Sequence, residues 1–168
     1  IRPDDLATQV VKGLMDRNEK INSDQVEDLV MGCAFPEGPQ GMLIGRSVVA
    51  LAGLPQTVPA KVVNRFCGSA MDALHQVSTA IESGDIEVGI AAGVEDMFSI
   101  PPGGFAPDFH PELAEQEYYI GMGETAENLA KWAFEQVEPH IKNSYGTSLK
   151  LVAMHVRETP KSWATWMP

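Results

Sequence analysis

Cysteine, positive charge and long apolar runs are all scarce in this chain, and each scarcity excludes something. Two cysteines in 168 residues, behind an N-terminus that opens Arg2-Pro3-Asp4-Asp5 and not with a basic, then apolar leader, argue against a disulfide framework. A reducing compartment, the cytoplasm, is the expected setting. Lys and Arg number 12 against 23 Asp and Glu, for a net charge of −11. That balance argues against nucleic acid and anionic membrane as main partners, yet leaves an anionic small molecule open, because binding depends on local fields. The longest apolar stretches, such as residues 48–54, fall far short of the ~20 residues a membrane-spanning helix needs. No set of His, Cys or carboxylates has metal-ligand spacing and no Gly-rich phosphate loop follows a strand, so no metal and no permanently bound cofactor are expected.

What is present is ordinary globular material, with 44% hydrophobic and 21% charged residues, enough for a domain with its own core. Pro3 at a first turn, Asp4 and Asp5 beside the positive helix end, and Leu6, Val10, Val11 and Leu14 on one stripe predict a helix over 3–18. Residues 26–34, VEDLVMGCA, read as a buried strand, with Cys33 in the core. A helix over 42–52 is stopped by Gly53 and Pro55, a strand follows within 58–67, and Met71, Leu74, Val77, Ser78 and Ile81 mark a helix over 68–83 packed on a sheet. Another strand ends near Gly93. This alternation predicts a layered α/β domain. Charge and aromatics then shift: residues 1–130 carry −13, residues 131–168 carry +2 and all three tryptophans. The expected organisation is therefore a core over 1–97, a loop-rich segment over 98–130 in which residues 101–107 hold no regular element, and a tail over 131–168 with a strand within 148–156.

One cysteine stands out by position. Cys67 falls between a strand end, Lys61-Val62-Val63, and the helix that starts at Gly68. There the free amides and positive dipole end of a first helical turn favour a thiolate. Gly68, Ser69 and Ala70 add no bulk, so a substrate carbonyl could approach backbone amides as an oxyanion hole requires. Placement alone leaves two readings open, a nucleophile or a small buried hydrophobe.

The neighbourhood is more specific. Asn64-Arg65-Phe66-Cys67-Gly68-Ser69-Ala70, a helix, and Gly89-Ile90-Ala91-Ala92-Gly93-Val94-Glu95-Asp96-Met97 resemble the nucleophile segment of the thiolases. Met31-Gly32-Cys33-Ala34 and Leu51-Ala52-Gly53-Leu54-Pro55 resemble the elements before it, and Met122-Gly123-Glu124-Thr125-Ala126-Glu127-Asn128 resembles the family's covering loop. The likeness covers residues 2–130, about three quarters of the chain; Ala92 and Asp96 depart mildly from the family pattern, and from Lys131 onward it stops.

The resemblance implies a thiolase-like layered αβα domain with a mixed sheet of the five-stranded type, its first strand absent before Ile1, and a partial covering-loop region. It implies an acyltransferase of fatty-acid metabolism, with Cys67 acylated by an acyl-coenzyme A thioester, Asn64, Gly68 and Met122 at the substrate, coenzyme A as co-substrate, and a homodimer or higher homo-oligomer.

The family's Gly-His-Pro and Cys-x-Gly motifs, which supply its base and its second cysteine, do not occur here, so the chain is expected to be incomplete for full turnover. His75 lies eight residues along the helix from Cys67, roughly 12 Å at 1.5 Å per residue, and cannot reach its sulfur. His110 lies in a loop with nothing to orient it, and His140 and His155 fall in the tail. The alternative is a non-catalytic remnant of the same fold, a binding module. A ketosynthase-like condensing enzyme, the third reading, is disfavoured because Arg65-Phe66-Cys67-Gly68-Ser69 is not its nucleophile context.

Overall fold

The computed structural model describes residues 1–100, 107–159 and 162–168. Residues 101–106, most of the segment expected to hold no regular element, lie outside the described residues. The chain divides into two compact units, Ile1–Ala106 and Pro107–Pro168.

In the first unit the elements run α1 (Pro3–Arg17), β1 (Asp28–Gly32), α2 (Ile44–Ala52), β2 (Ala60–Val63), α3 (Ser69–Ser83) and β3 (Gly89–Gly93). The strands form one sheet in the order β2-β1-β3, with β1 parallel to both neighbours. Among the described residues this sheet has three strands, all parallel, and the mixed five-stranded type is not what they form.

The two connections travel in opposite directions across the sheet, outward from β1 to β2 and then back over β1 to β3. Right-handed crossovers therefore put α2 and α3 on opposite faces. Side-chain alternation along β1 serves both faces: Leu29, Met31 and Cys33 join the larger core cluster with Val11 of α1 and Ile44, Val48 and Val49 of α2, while Val30 joins Ala73 and Val77 of α3. The result is a layered αβα unit with a sheet buried on both sides, which is why 29–33 reads as an unbroken apolar run.

Of the two expected packing stripes the structure buries only Val11 and Val77. On α1 the buried residues are Pro3, Ala7, Thr8 and Val11, whereas Leu6, Val10 and Leu14 are exposed. On α3 Ala73 and Val77 are buried, whereas Met71, Leu74 and Ile81 are exposed. The cause lies in the glycines opposite α3. A β-carbon on Gly32 would sit 2.4 Å from the Ser69 carbonyl carbon and 2.5 Å from the Ala70 nitrogen, and one on Gly93 would sit 2.6 Å from the Ala70 Cβ. The helix comes so close to the sheet that its contact face holds only small or medium side chains.

The second unit contains α4 (Pro111–Glu115), α5 (Met122–Tyr145) and a hairpin of β4 (Met154–Thr159) and β5 (Ser162–Trp166). One helix thus runs through residues 130 and 131, and it carries Pro139 in its interior. α5 buries Ala130 and Phe134 and packs on both hairpin strands, with the Lys131 ammonium 5.1 Å from the centre of the Trp166 ring. The strand expected within 148–156 begins only at Met154. None of the described helices is long and apolar enough to cross a membrane.

Candidate active site

All three parallel strands end at one edge of the sheet, and the backbone there leads into Cys33-Ala34, Asn64 to Cys67, and Val94-Glu95. Carboxyl ends of parallel strands are where α/β folds place their ligands. The ladder continues past the strands, Cys33 N–H donating to the Val63 carbonyl at 3.1 Å and Val94 N–H to the Gly32 carbonyl at 3.0 Å.

Side chains then tie the three ends together. The Asn64 amide nitrogen donates to the Ala34 carbonyl at 2.8 Å, while its oxygen accepts the Phe66 N–H at 2.9 Å. The Glu95 carboxylate accepts the Ala34 N–H at 2.6 Å and the Gln40 side-chain amide at 2.8 Å. Gln40 is fully buried; it also donates to the Phe35 carbonyl and accepts the Asp96 N–H.

Within that frame the turn carrying Cys67 is tightly specified. Phe66 has φ of 47°, a left-handed conformation that costs a bulky residue on the order of 1–3 kcal/mol. Neighbouring bonds hold it there. The hydroxyl of Ser69, 4% exposed, accepts the Arg65 N–H at 2.9 Å and donates to the Phe66 carbonyl at 2.6 Å. Gly68 and Ser69 donate their amides to the Arg65 and Phe66 carbonyls, each at 3.0 Å. Of the backbone amides beside Cys67 that a substrate carbonyl was expected to approach, these two are engaged inside the turn. Gly68 is the N-cap of α3, and the Arg65 guanidinium pairs with Asp72 of the first helical turn at 3.1 Å.

The two cysteines differ in kind. Cys67 is exposed at the helix start. Cys33 is buried, and burial first, then the nearby Glu95 carboxylate, pushes its thiol up to about 11. Cys67, Asn64 and Gly68 therefore share one turn of the first unit. Met122 lies in the second unit, exposed at the start of α5, where it borders a groove of about 700 Å³ with Leu129, Val156 and Trp163. The Gly121 amide donates to the Glu124 carboxylate there, and the Thr125 hydroxyl donates to the Gly121 carbonyl.

The four histidines are exposed. His75 lies on α3, His110 is the N-cap of α4, His140 lies on α5, and the His155 ring meets the Thr165 hydroxyl across the hairpin. No group of three or more His, Cys, Asp or Glu suited to a metal ion occurs among the described residues. Sequence reasoning gave no role to Gln40 or Glu95, and gave Ser69 only that of a small neighbour, not of a hydroxyl that holds the turn. Glu95 does carry a readable signal, the first of two adjacent carboxylates directly after an apolar strand.

The model of the family described as thiolase, N-terminal domain, matches residues 1–135. The chain is 41% identical over 133 residues to a 3-ketoacyl-CoA thiolase of Bacillus subtilis (strain 168), a match covering 78% of this chain and 34% of that protein. It is 42% identical over 132 residues to the 3-ketoacyl-CoA thiolase of Aliivibrio salmonicida, covering 77% and 34%. Among solved structures, the Bacillus anthracis acetyl-CoA acetyltransferase superposes with a TM-score of 0.65 at 22% identity, over 99% of this chain and 48% of that one. That likeness shows the fold. The chain spans about a third of the length of the curated relatives it matches.

Proposed function

We infer the function from kinship: this chain belongs to the thiolase family and carries its N-terminal domain. Its role is that of the nucleophile-bearing part of an acyltransferase acting on acyl-coenzyme A. The observation that carries this is the exposed Cys67 on a strained, hydrogen-bonded turn at the carboxyl edge of a parallel sheet. The Cys67 sulfur attacks the thioester carbonyl, a new sulfur–carbon bond forms, the bond to the coenzyme A sulfur breaks, and the proton from Cys67 ends on the released thiol. Gly68 leaves room for the thioester, Asn64 borders it, and Met122 meets the substrate chain. Coenzyme A and its thioesters are substrates, 3-ketoacyl chains among them, and no group is held permanently. The setting is cytoplasmic and the chain self-associates.

Full turnover needs a base for the thiol and an acid for the leaving thiolate. The sequence holds neither Gly-His-Pro nor Cys-x-Gly, so single acylation is the reaction expected of these 168 residues. The purified chain is incubated with acetyl-coenzyme A and analysed by intact mass and peptide mapping. The expected result is an acetyl adduct on Cys67, lost in Cys67→Ser, with one equivalent of free thiol released. An adduct that persists in Cys67→Ser, or none after prolonged incubation, overturns the assignment. The second result would leave a thiolase-fold binding module.

A further inference from the structure

We propose that Glu95 is a positioning residue for Cys67, acting on it across the sheet through Ala34 and Asn64. The inference rests on the acyl-transfer reading of Cys67 and adds to it the group that anchors the nucleophile's turn. Among the described residues the backbone ladder ends with Cys33 N–H to the Val63 carbonyl and Val94 N–H to the Gly32 carbonyl. Ala34, the next residue, has both of its polar backbone groups taken by side chains. Its N–H donates to the Glu95 carboxylate at 2.6 Å and its carbonyl accepts the Asn64 amide at 2.8 Å.

Asn64 passes the constraint on. Its oxygen accepts the Phe66 N–H at 2.9 Å, so turning the amide over would break both of its bonds. A continuous run of bonds thus leads from the end of β3 to Phe66, whose φ of 47° is kept only where the surroundings over-determine it. Cys67 is the next residue. A shift of Ala34 is handed directly to the strained residue that sets where Cys67 sits at the start of α3.

Only a carboxylate meets the donors at this point. One Glu95 oxygen takes the Ala34 N–H; the other takes the Gln40 amide at 2.8 Å, with the Cys33 thiol as a weak donor at 3.9 Å. A glutamine of the same shape has a single acceptor oxygen, so its N–H2 would oppose Ala34 or Gln40. Gln40 cannot turn over to relieve this, because it is fully buried, its nitrogen also donates to the Phe35 carbonyl and its oxygen accepts the Asp96 N–H. Glu95→Gln therefore loosens Ala34 and, through Asn64, the turn. Loosening moves the sulfur out of place against the positive end of α3, which favours the reactive anion. Cys67 is already exposed, so no gain of access offsets the loss.

The test is the rate at which iodoacetamide alkylates Cys67 in the intact chain, read by peptide mapping, with far-UV circular dichroism as folding control. Glu95→Gln should slow it about threefold or more, the size of a helix-end effect on an anion. Val48→Ala, a cavity in the α2 core on the far side of the sheet, lowers stability without touching these bonds and should leave the rate unchanged. In an Asn64→Ala background Glu95→Gln should add little, because the two act in series. Glu95→Asp, one carbon shorter, takes the place of Glu95→Gln if that variant misfolds. A Glu95 variant no slower than Val48→Ala, or one that slows alkylation equally with and without Asn64, overturns the proposal. Iodoacetamide asks nothing of coenzyme A, so a wild type that acetyl-coenzyme A fails to label overturns the acyl-transfer reading and not the hold of Glu95 on the turn.

Discussion

Replacing Gly32 by alanine adds a single carbon at the place where the fold has no room for one. Its three nearest neighbours would be the Ser69 carbonyl carbon at 2.4 Å, the Ala70 nitrogen at 2.5 Å and the Ser69 carbonyl oxygen at 2.6 Å. All three are backbone, so no side chain can swing aside; either β1 or the first turn of α3 must move by about 1 Å. Overpacking a well-filled core costs about 1–3 kcal/mol, and rigid neighbours put this site at the upper end. With a urea dependence of about 1 kcal/mol/M for a unit of this size, the midpoint should fall by about 2–3 M. Gly13→Ala is the control, since nothing lies within 4 Å of an added β-carbon in the middle of α1; there helix propensity should raise stability by about 0.5–1 kcal/mol. Denaturation followed by far-UV circular dichroism measures both. A Gly32→Ala midpoint within about 0.5 M of wild type would refute the claim that α3 lies too close to the sheet to admit a side chain at Gly32.

Ser69→Ala removes the acceptor of the Arg65 N–H and a donor to the Phe66 carbonyl; it should cost about 1–3 kcal/mol and speed amide exchange at Arg65, and unchanged exchange would show that the hydroxyl does not hold the turn. Cys33 titrates from an ordinary 9.0 up to about 11, through burial and then Glu95. The folded chain keeps this proton longer than the unfolded one, so stability from this group is intact below pH 9 and declines as pH rises from about 9 to 11. Urea midpoints across that window should fall more steeply for the wild type than for Cys33→Ala; equal slopes would contradict the assignment.

The order of elements in the first unit, the layered αβα arrangement and the place of Cys67 were legible from periodicity and punctuation. α3 was expected over 68–83 and spans Ser69–Ser83, and α2 ends at Ala52 before Gly53 as its stop signals require. The orientation of the helices was not legible. Periodicity finds a stripe but does not say which side of a helix meets the sheet when both sides carry apolar residues. On α3 one side holds Ala73 and Val77 and another Met71, Leu74 and Ile81. The decision lies in Gly32 and Gly93, residues of β1 and β3 distant in sequence, whose missing side chains admit the helix only on its small-residue face. The second unit was hidden for another reason: Pro139, a helix breaker by local rules, sits inside α5, and the hairpin register pairs residues up to twelve apart that no local pattern links.

The candidate site was half legible for a related reason. Cys67 announces itself because its meaning is local, a strand end meeting a helix start. The groups that hold it in place act across the sheet: Asn64 reaches Ala34, Glu95 reaches the Ala34 amide and Gln40, and Gly93 makes room for Ala70. The Asn64 and Glu95 contacts to Ala34 join the ends of parallel strands, which must be connected by long crossovers and so lie far apart in sequence; Gln40 and Ala70 join them from the turn at Gly38–Gln40 and from α3. A nucleophile on such an edge gains a turn with little freedom, because three strands fix it at once. The same design leaves the outer side of α3 without a part in positioning Cys67. On that side Met71, Leu74 and Ile81 are exposed.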